Sequence, residues 1–183
     1  MYNRILRKAY GKGGISIADT IIFRVFLIFF FGIGAFFDWK ERKVPNWWVL
    51  SGLAAGIFFR KQYFFLPAIA VILLFFPLFL CRMIGAGDIK AMAVLVGFTG
   101  FGCGAVCLMA GFLIGGTFSL CKLLYKRELV RRLAYFGAYI QRLIRTRQIV
   151  PYYLPDRDGY GATVPLTVCL FAGLCIGMLL TGR

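Results

Sequence analysis

Residues 64–84 read FFLPAIAVILLFFPLFLCRMI, with Arg82 the only charge among them. An α-helix crosses the hydrocarbon core of a bilayer with about 20 apolar residues. This stretch is long enough and apolar enough to do so. Working outward from it, the chain offers five more apolar runs. Residues 17–37 form the first, with Asp19 and Arg24 near its start. Residues 45–59 form a short second, in which Pro45 suits a first helical turn and Trp47 and Trp48 suit a membrane-interface belt. Residues 89–98 and 103–124 follow, joined by a Gly-rich stretch, 97–104, that is the natural place for a turn. Residues 162–180 close the series. The pattern predicts an all-α, polytopic membrane protein with about six transmembrane helices. A basic tail, residues 1–16, precedes a membrane domain, residues 17–183.

Composition agrees. Of 183 residues, 61% are apolar or aromatic and 16% charged, with 20 Phe and 22 Gly. An ordinary soluble domain carries about 25% charged residues. His is absent. Its absence excludes Ser-His and Cys-His nucleophile pairs within the chain, the H-E-x-x-H zinc proteases and any His-ligated metal. The six Cys form no C-x-x-C and lie mostly in apolar runs, where Cys behaves as a small hydrophobe. Neither a disulfide framework nor a zinc site is expected. The basic N-terminus ahead of an apolar run has the outline of a secretory signal, but five further apolar segments argue against a cleaved, exported product.

Net charge is +15, from 22 Lys and Arg against 7 Asp and Glu. The cations lie between apolar spans and no nucleic-acid motif accompanies them, so cytoplasmic loops and anionic lipid are the expected partners, not nucleic acid. Loops 1–2, 3–4 and 5–6 fall on one side of the membrane and hold 14 of the Lys and Arg, against 7 on the other. The positive-inside rule then puts these loops in the cytoplasm and both termini outside. Residues 125–161 form a long basic segment. Leu129, Leu133, Phe136, Ile140 and Leu143 recur at steps of four and three, one face of a helix, and Arg131, Arg132, Arg142 and Arg145 fill the rest. Such a helix is expected to lie in the membrane interface, with a substrate dock as the functional alternative.

Among the few acids, Asp38 closes the first span and Asp88 opens the fourth. Two spans separate them, so both fall on one side of the membrane. Ionisable groups at membrane depth suggest function. The structural alternative is a wet helix end paired with Lys40 or Lys90. The setting of Asp88 is Gly85-Ala86-Gly87-Asp88-Ile89-Lys90. The two Gly let a backbone approach the carboxylate closely. A phosphate-cradling loop would need a preceding strand and further Gly, and here an apolar helix precedes. Asp38 is followed by Val44-Pro45-Asn46.

These two motifs together resemble the type IV prepilin peptidases, membrane aspartic proteases of the Gly-x-Gly-Asp class. Gly85, Gly87 and Asp88 match the signature. Asp38 with Val44, Pro45 and Asn46 matches the first catalytic Asp and its downstream Pro-Asn, and Val164-Pro165 followed by Ala172-Gly173 matches the final-span pattern. The resemblance covers residues 31–180. It implies Asp38 and Asp88 as catalytic residues, with Gly85, Gly87, Lys90, Pro45, Asn46 and Pro165 in support. It further implies prepilins or pseudopilins as substrates, cut at the cytoplasmic face of a bacterial or archaeal inner membrane. Larger members carry a cytoplasmic domain with paired C-x-x-C motifs tied to N-methylation. Residues 1–16 hold no Cys, so the chain resembles the short form and no methyltransferase activity is expected.

The chemistry has its own logic. Without His, an activated Ser or a metal cluster, carboxylates remain to hydrolyse a peptide. Two nearby carboxylates share one proton. The ionised one takes a proton from water, and the protonated one polarises the scissile carbonyl. Neither a metal nor a cofactor is expected. Two other readings compete. In a lipid phosphotransferase Asp38 and Asp88 would hold Mg²⁺, although no acidic cluster at helical spacing accompanies them. In a transporter or assembly subunit the acids would relay protons.

Overall fold

The structure, a computed structural model, describes residues 17–41, 44–60, 62–125, 127–146 and 164–181. The expected basic tail, Arg42 and Lys43, and the second half of the basic segment from 147 lie outside the described residues. Among the described residues there are six helices: α1 (Ile17–Glu41), α2 (Asn46–Arg60), α3 (Gln62–Leu80), α4 (Ala86–Tyr125), α5 (Leu129–Thr146) and α6 (Leu166–Thr181).

α4 is two helices in one run. At Gly100 the backbone takes φ 77°, ψ 170°, a left-handed value that a side chain would strain. The chain reverses there. A Cβ added to Gly104 would lie 3.1 Å from the Cα of Val96, eight residues away, a separation of about 12 Å in a straight helix. The break falls inside the expected turn at 97–104. The first half of α4 is the centre of the molecule, with every residue from Ala91 to Gly100 buried. α1, α2, α3 and the second half of α4 surround it.

The second half of α4 runs antiparallel to α6 through facing small residues. Gly111 and Gly115 on one helix meet Gly173 and Cys169 on the other, and a Cβ on Gly173 would strike the backbone of Cys107 and Gly111. In lipid there is no solvent-driven hydrophobic gain between helices, so close backbone approach at such small-xxx-small sites supplies the packing energy.

On the opposite flank α1 and α2 pack through aromatics. Trp48 is 1% exposed. Its Nε1–H donates to the Phe30 carbonyl at 3.0 Å, and its ring stacks on Phe30 at 4.5 Å. This corrects the interface-belt expectation for Trp48. Gly34 leaves room for the indole, and the Phe30 carbonyl gives its N–H a partner, so the ring can enter the core. Trp47, 57% exposed, fits the belt.

The third span ends at Leu80, four residues before its expected limit. Met83 N–H bonds the Leu78 carbonyl and Arg82 N–H the Phe79 carbonyl, with Arg82 at φ 52°. This is a Schellman stop with Arg in place of the usual Gly. Arg127 repeats it after α4, at φ 54°.

Ile21–Glu41, Tyr63–Leu80 and Ala86–Tyr125 are long and apolar enough to cross a membrane, and Leu166–Leu180 is a shorter apolar helix. Large side chains such as Phe29, Leu66, Leu73 and Leu113 face outward, as a lipid-facing surface requires. The protein is an all-α, multi-pass membrane protein. α5 differs, with apolar residues on one side and Arg131, Arg142 and Arg145 on the other, as expected of an interfacial helix.

Candidate active site

Because α1 runs to the same end of the bundle at which α2, the first half of α4 and α6 begin, one end gathers a helix C-terminus and three helix N-termini. Asp38 sits in the last turn of α1 and is 5% exposed. Its Oδ2 accepts a hydrogen bond from the Thr167 backbone N–H at 2.8 Å. Thr167 is the second residue of α6, where helix N–H groups have no partner within the helix. The carboxylate thus meets one of those free donors at the positive end of the helix dipole. Pro165 stands just before α6, where its missing N–H costs the helix nothing.

Asp88 is the third residue of α4. The Gly85 carbonyl accepts the first helical bond, from Ile89 N–H at 3.2 Å, which makes Gly85 the N-cap. The Asp88 carboxylate reaches back to the Gly85 backbone N–H, as the acid of a capping box does. A Cβ at Gly85 would stand 3.2 Å from Asp88 Oδ2. The Gly-x-Gly-Asp motif is therefore a helix start whose own acid folds over a bare N-cap. Asp38 and Asp88 lie near enough that the charge of each acts on the other.

The Val-Pro-Asn motif fits beside them. A Cβ at Gly87 would meet Val44 Cβ at 3.6 Å, an ordinary contact. The Pro45 carbonyl accepts N–H bonds from Trp48 at 3.1 Å and Val49 at 3.4 Å, so Pro45 caps α2. Lys90 is exposed, and its Nζ reaches Asn46 Oδ1 at 3.5 Å. The structure thus brings Asp38, Asp88, Gly85, Gly87, Lys90, Pro45, Asn46 and Pro165 to one end of the bundle. Glu128 stands apart, paired with Arg131 at 3.2 Å and Arg132 at 3.8 Å. Among the described residues no group of three or more His, Cys, Asp or Glu gathers as a metal site would.

Two neighbours of Asp38 escaped sequence reasoning: Thr167, and Cys169, which feels the charge of Asp38. A Thr in an apolar helix carries no signal of its own. The one clue was its place two residues after Pro165.

The profile of the type IV leader peptidase family matches residues 25–120, just over half of the chain. The chain belongs to that family. No curated protein and no solved structure matches it. The matched stretch contains Asp38, the Val44-Pro45-Asn46 motif and the Gly85–Asp88 loop, while Thr167 and α6 lie beyond it. Membership makes the protein a membrane peptidase of the leader-peptidase kind.

Proposed function

We propose that this leader peptidase is an aspartic endopeptidase with Asp38 and Asp88 as its catalytic pair, and that it removes the basic leader of type IV prepilins or pseudopilins. The observation that carries the reading is the meeting of two carboxylates, 50 positions apart in sequence, at one end of the bundle within reach of each other's charge. Such a pair holds one proton between them. The ionised carboxylate removes a proton from water as its oxygen attacks the scissile carbonyl carbon. The protonated one donates to the carbonyl oxygen, and the proton taken from water passes to the leaving amine. Thr167 N–H and Gly85 N–H, each on a helix end, hold one carboxylate apiece, so both stay placed while the proton moves.

The site lies at the ends of helices, so the scissile bond lies at the membrane edge. The excess of Lys and Arg in the loops of this end supports a cytoplasmic face in a bacterial or archaeal inner membrane. A substrate that fits is a single-span protein with a basic leader and a Gly at the junction with its helix, because Gly weakens the helix there by about 1 kcal/mol relative to Ala. α5 serves the lipid surface in this reading, since its Arg side chains would repel a basic leader.

The test is leader removal from prepilins of the same genome, co-expressed with Asp38→Asn, Asp88→Asn and the double variant. Each single variant loses cleavage while remaining in the membrane, and the double variant is no worse, since members of a catalytic unit are not additive. Robust cleavage by either single variant refutes the pair.

A further inference from the structure

α5 has a side that its exposed Arg residues do not share. Among the described residues of this helix only Tyr139 is buried, with Leu129, Arg132, Ile140 and Leu143 half-buried on the same face. Residues three, four and seven apart share one side of a helix. The Tyr139 hydroxyl is hydrogen-bonded to the Cys81 thiol. A Phe would pack on this face as well as Tyr does. The hydroxyl is what joins α5 to Cys81, and Cys81 opens the loop that leads to the Gly-x-Gly-Asp motif.

That loop has no slack. Cys81 is the first residue after α3, and its N–H bonds the Pro77 carbonyl at 3.1 Å. The stop that follows closes with Met83 N–H on the Leu78 carbonyl at 3.0 Å. Only Ile84, packed against the core, then separates it from Gly85. Between them Arg82 holds φ 52°, a left-handed value that a non-Gly residue keeps only where its surroundings impose it. A shift of Cys81 therefore passes through Arg82, Met83 and Ile84 to Gly85. On its other side Gly85 has little support. Gly85 and Ala86 are exposed, and the continuously buried part of α4 begins at Ala91. The first N–H groups of a helix have no partner within it. The Gly85 N–H that holds the Asp88 carboxylate is thus placed by the loop before it.

We propose that Tyr139 is a positioning residue of this peptidase, holding Cys81 from α5 and so fixing the loop that sets the Gly85 N–H against Asp88. This rests on the Asp38–Asp88 reading above. One side of α5 then meets lipid while another steadies the site, and neither Tyr139 nor Cys81 touches substrate or moves a proton.

The test uses the purified full chain in detergent and, as probe, a prepilin with a basic leader and Gly at the junction. Tyr139→Phe keeps the ring and removes the bond. It lowers kcat about five-fold, the worth of one neutral hydrogen bond expressed as a rate, and leaves KM unchanged. Cys81→Ala does the same, and Cys81→Ser, which returns a hydroxyl to the bond, is faster than Cys81→Ala by about that factor. The double variant Tyr139→Phe with Cys81→Ala is no slower than either single, because both remove one shared interaction. In Tyr139→Phe the amides of residues 82–87 exchange faster, while those of 91–99 keep wild-type protection. Wild-type kcat in Tyr139→Phe, or losses that multiply in the double variant, overturns the proposal and leaves Tyr139 as packing. Should Tyr139→Phe not fold, equal rates in Cys81→Ala and Cys81→Ser overturn it. Full activity in Asp88→Asn refutes the catalytic pair itself, a result separate from any obtained at Tyr139.

Discussion

Lys90 donates from Nζ to Asn46 Oδ1 at 3.5 Å, joining the start of α4 to the start of α2 across 44 positions of sequence. The bond is long and exposed, and it turns the ammonium towards the Val-Pro-Asn motif. At this length and exposure such a contact contributes about 1 kcal/mol or less, as exposed charged pairs do. Lys90→Gln and Asn46→Ala therefore leave leader removal within a few-fold of wild type. A hundred-fold loss in either variant places the pair in the chemistry.

The two glycines of the Gly-x-Gly-Asp loop differ in how much room they have. A methyl at Gly85 presses on the Asp88 carboxylate, whereas one at Gly87 meets only Val44 at ordinary contact distance. Displacing a catalytic group by a fraction of an ångström costs about ten-fold or more. Gly85→Ala therefore loses at least that in kcat, and Gly87→Ala only a few-fold. The reverse order in a cleavage assay means Gly87 reserves space for substrate.

The seam between α4 and α6 sets a stability prediction. Gly173→Ala drives a methyl into the backbone of Cys107 and Gly111, and overpacking of this kind costs about 1–3 kcal/mol. Gly116, with nothing within 4 Å, is the control. In detergent melting, Gly173→Ala lowers Tm and Gly116→Ala does not.

The pH profile of kcat is a bell. A pair that shares one proton loses it as pH rises, leaving no acid for the carbonyl. It gains a second as pH falls, leaving no base for water. Asp88→Asn cannot restore either limb. In the proposed mechanism the carboxylates act by proton transfer, so EDTA is expected to leave the rate unchanged. Loss on chelation with recovery on adding Mg²⁺ overturns the aspartic reading.

α5 provides a test of lipid contact. Arg131, Arg142 and Arg145 are exposed on the polar side, while Val130, Leu133 and Phe136 are exposed apolar residues. Converting Arg131, Arg132, Arg142 and Arg145 to Gln speeds amide exchange of α5 in nanodiscs of anionic lipid, yet keeps leader removal within a few-fold. Complete loss of processing in a folded quadruple variant assigns the helix to the substrate.

Much of the architecture was legible because lipid is a uniform solvent: span length and apolar content suffice to mark helices, and Gly100 announces its turn by lying in the 97–104 stretch. The meeting of Asp38 with Asp88 at one end followed from counting crossings. What stayed hidden depends on particular neighbours. Trp48 enters the core because Gly34 makes room and Phe30 offers a carbonyl, neither visible from Trp47-Trp48 alone. Gly111, Gly115, Gly173 and Gly177 have small-residue spacing, but only the fold shows that they face each other. Thr167 reaches Asp38 from 129 positions away, through a backbone atom every residue but Pro possesses.

The reversal at Gly100 also bears on how the protein is made. The half of α4 that carries Asp88 runs only from Ala86 to Thr99, well short of the ~20 residues that cross a bilayer alone. A ribosome delivers this segment to the membrane before its companion from Phe101 onward. It has no reason to stay there until that companion arrives, so the two enter together as one helical hairpin. Lengthening the link at Gly100 would then cost yield before it cost activity, since Asp88 is stranded outside whenever its hairpin fails to insert.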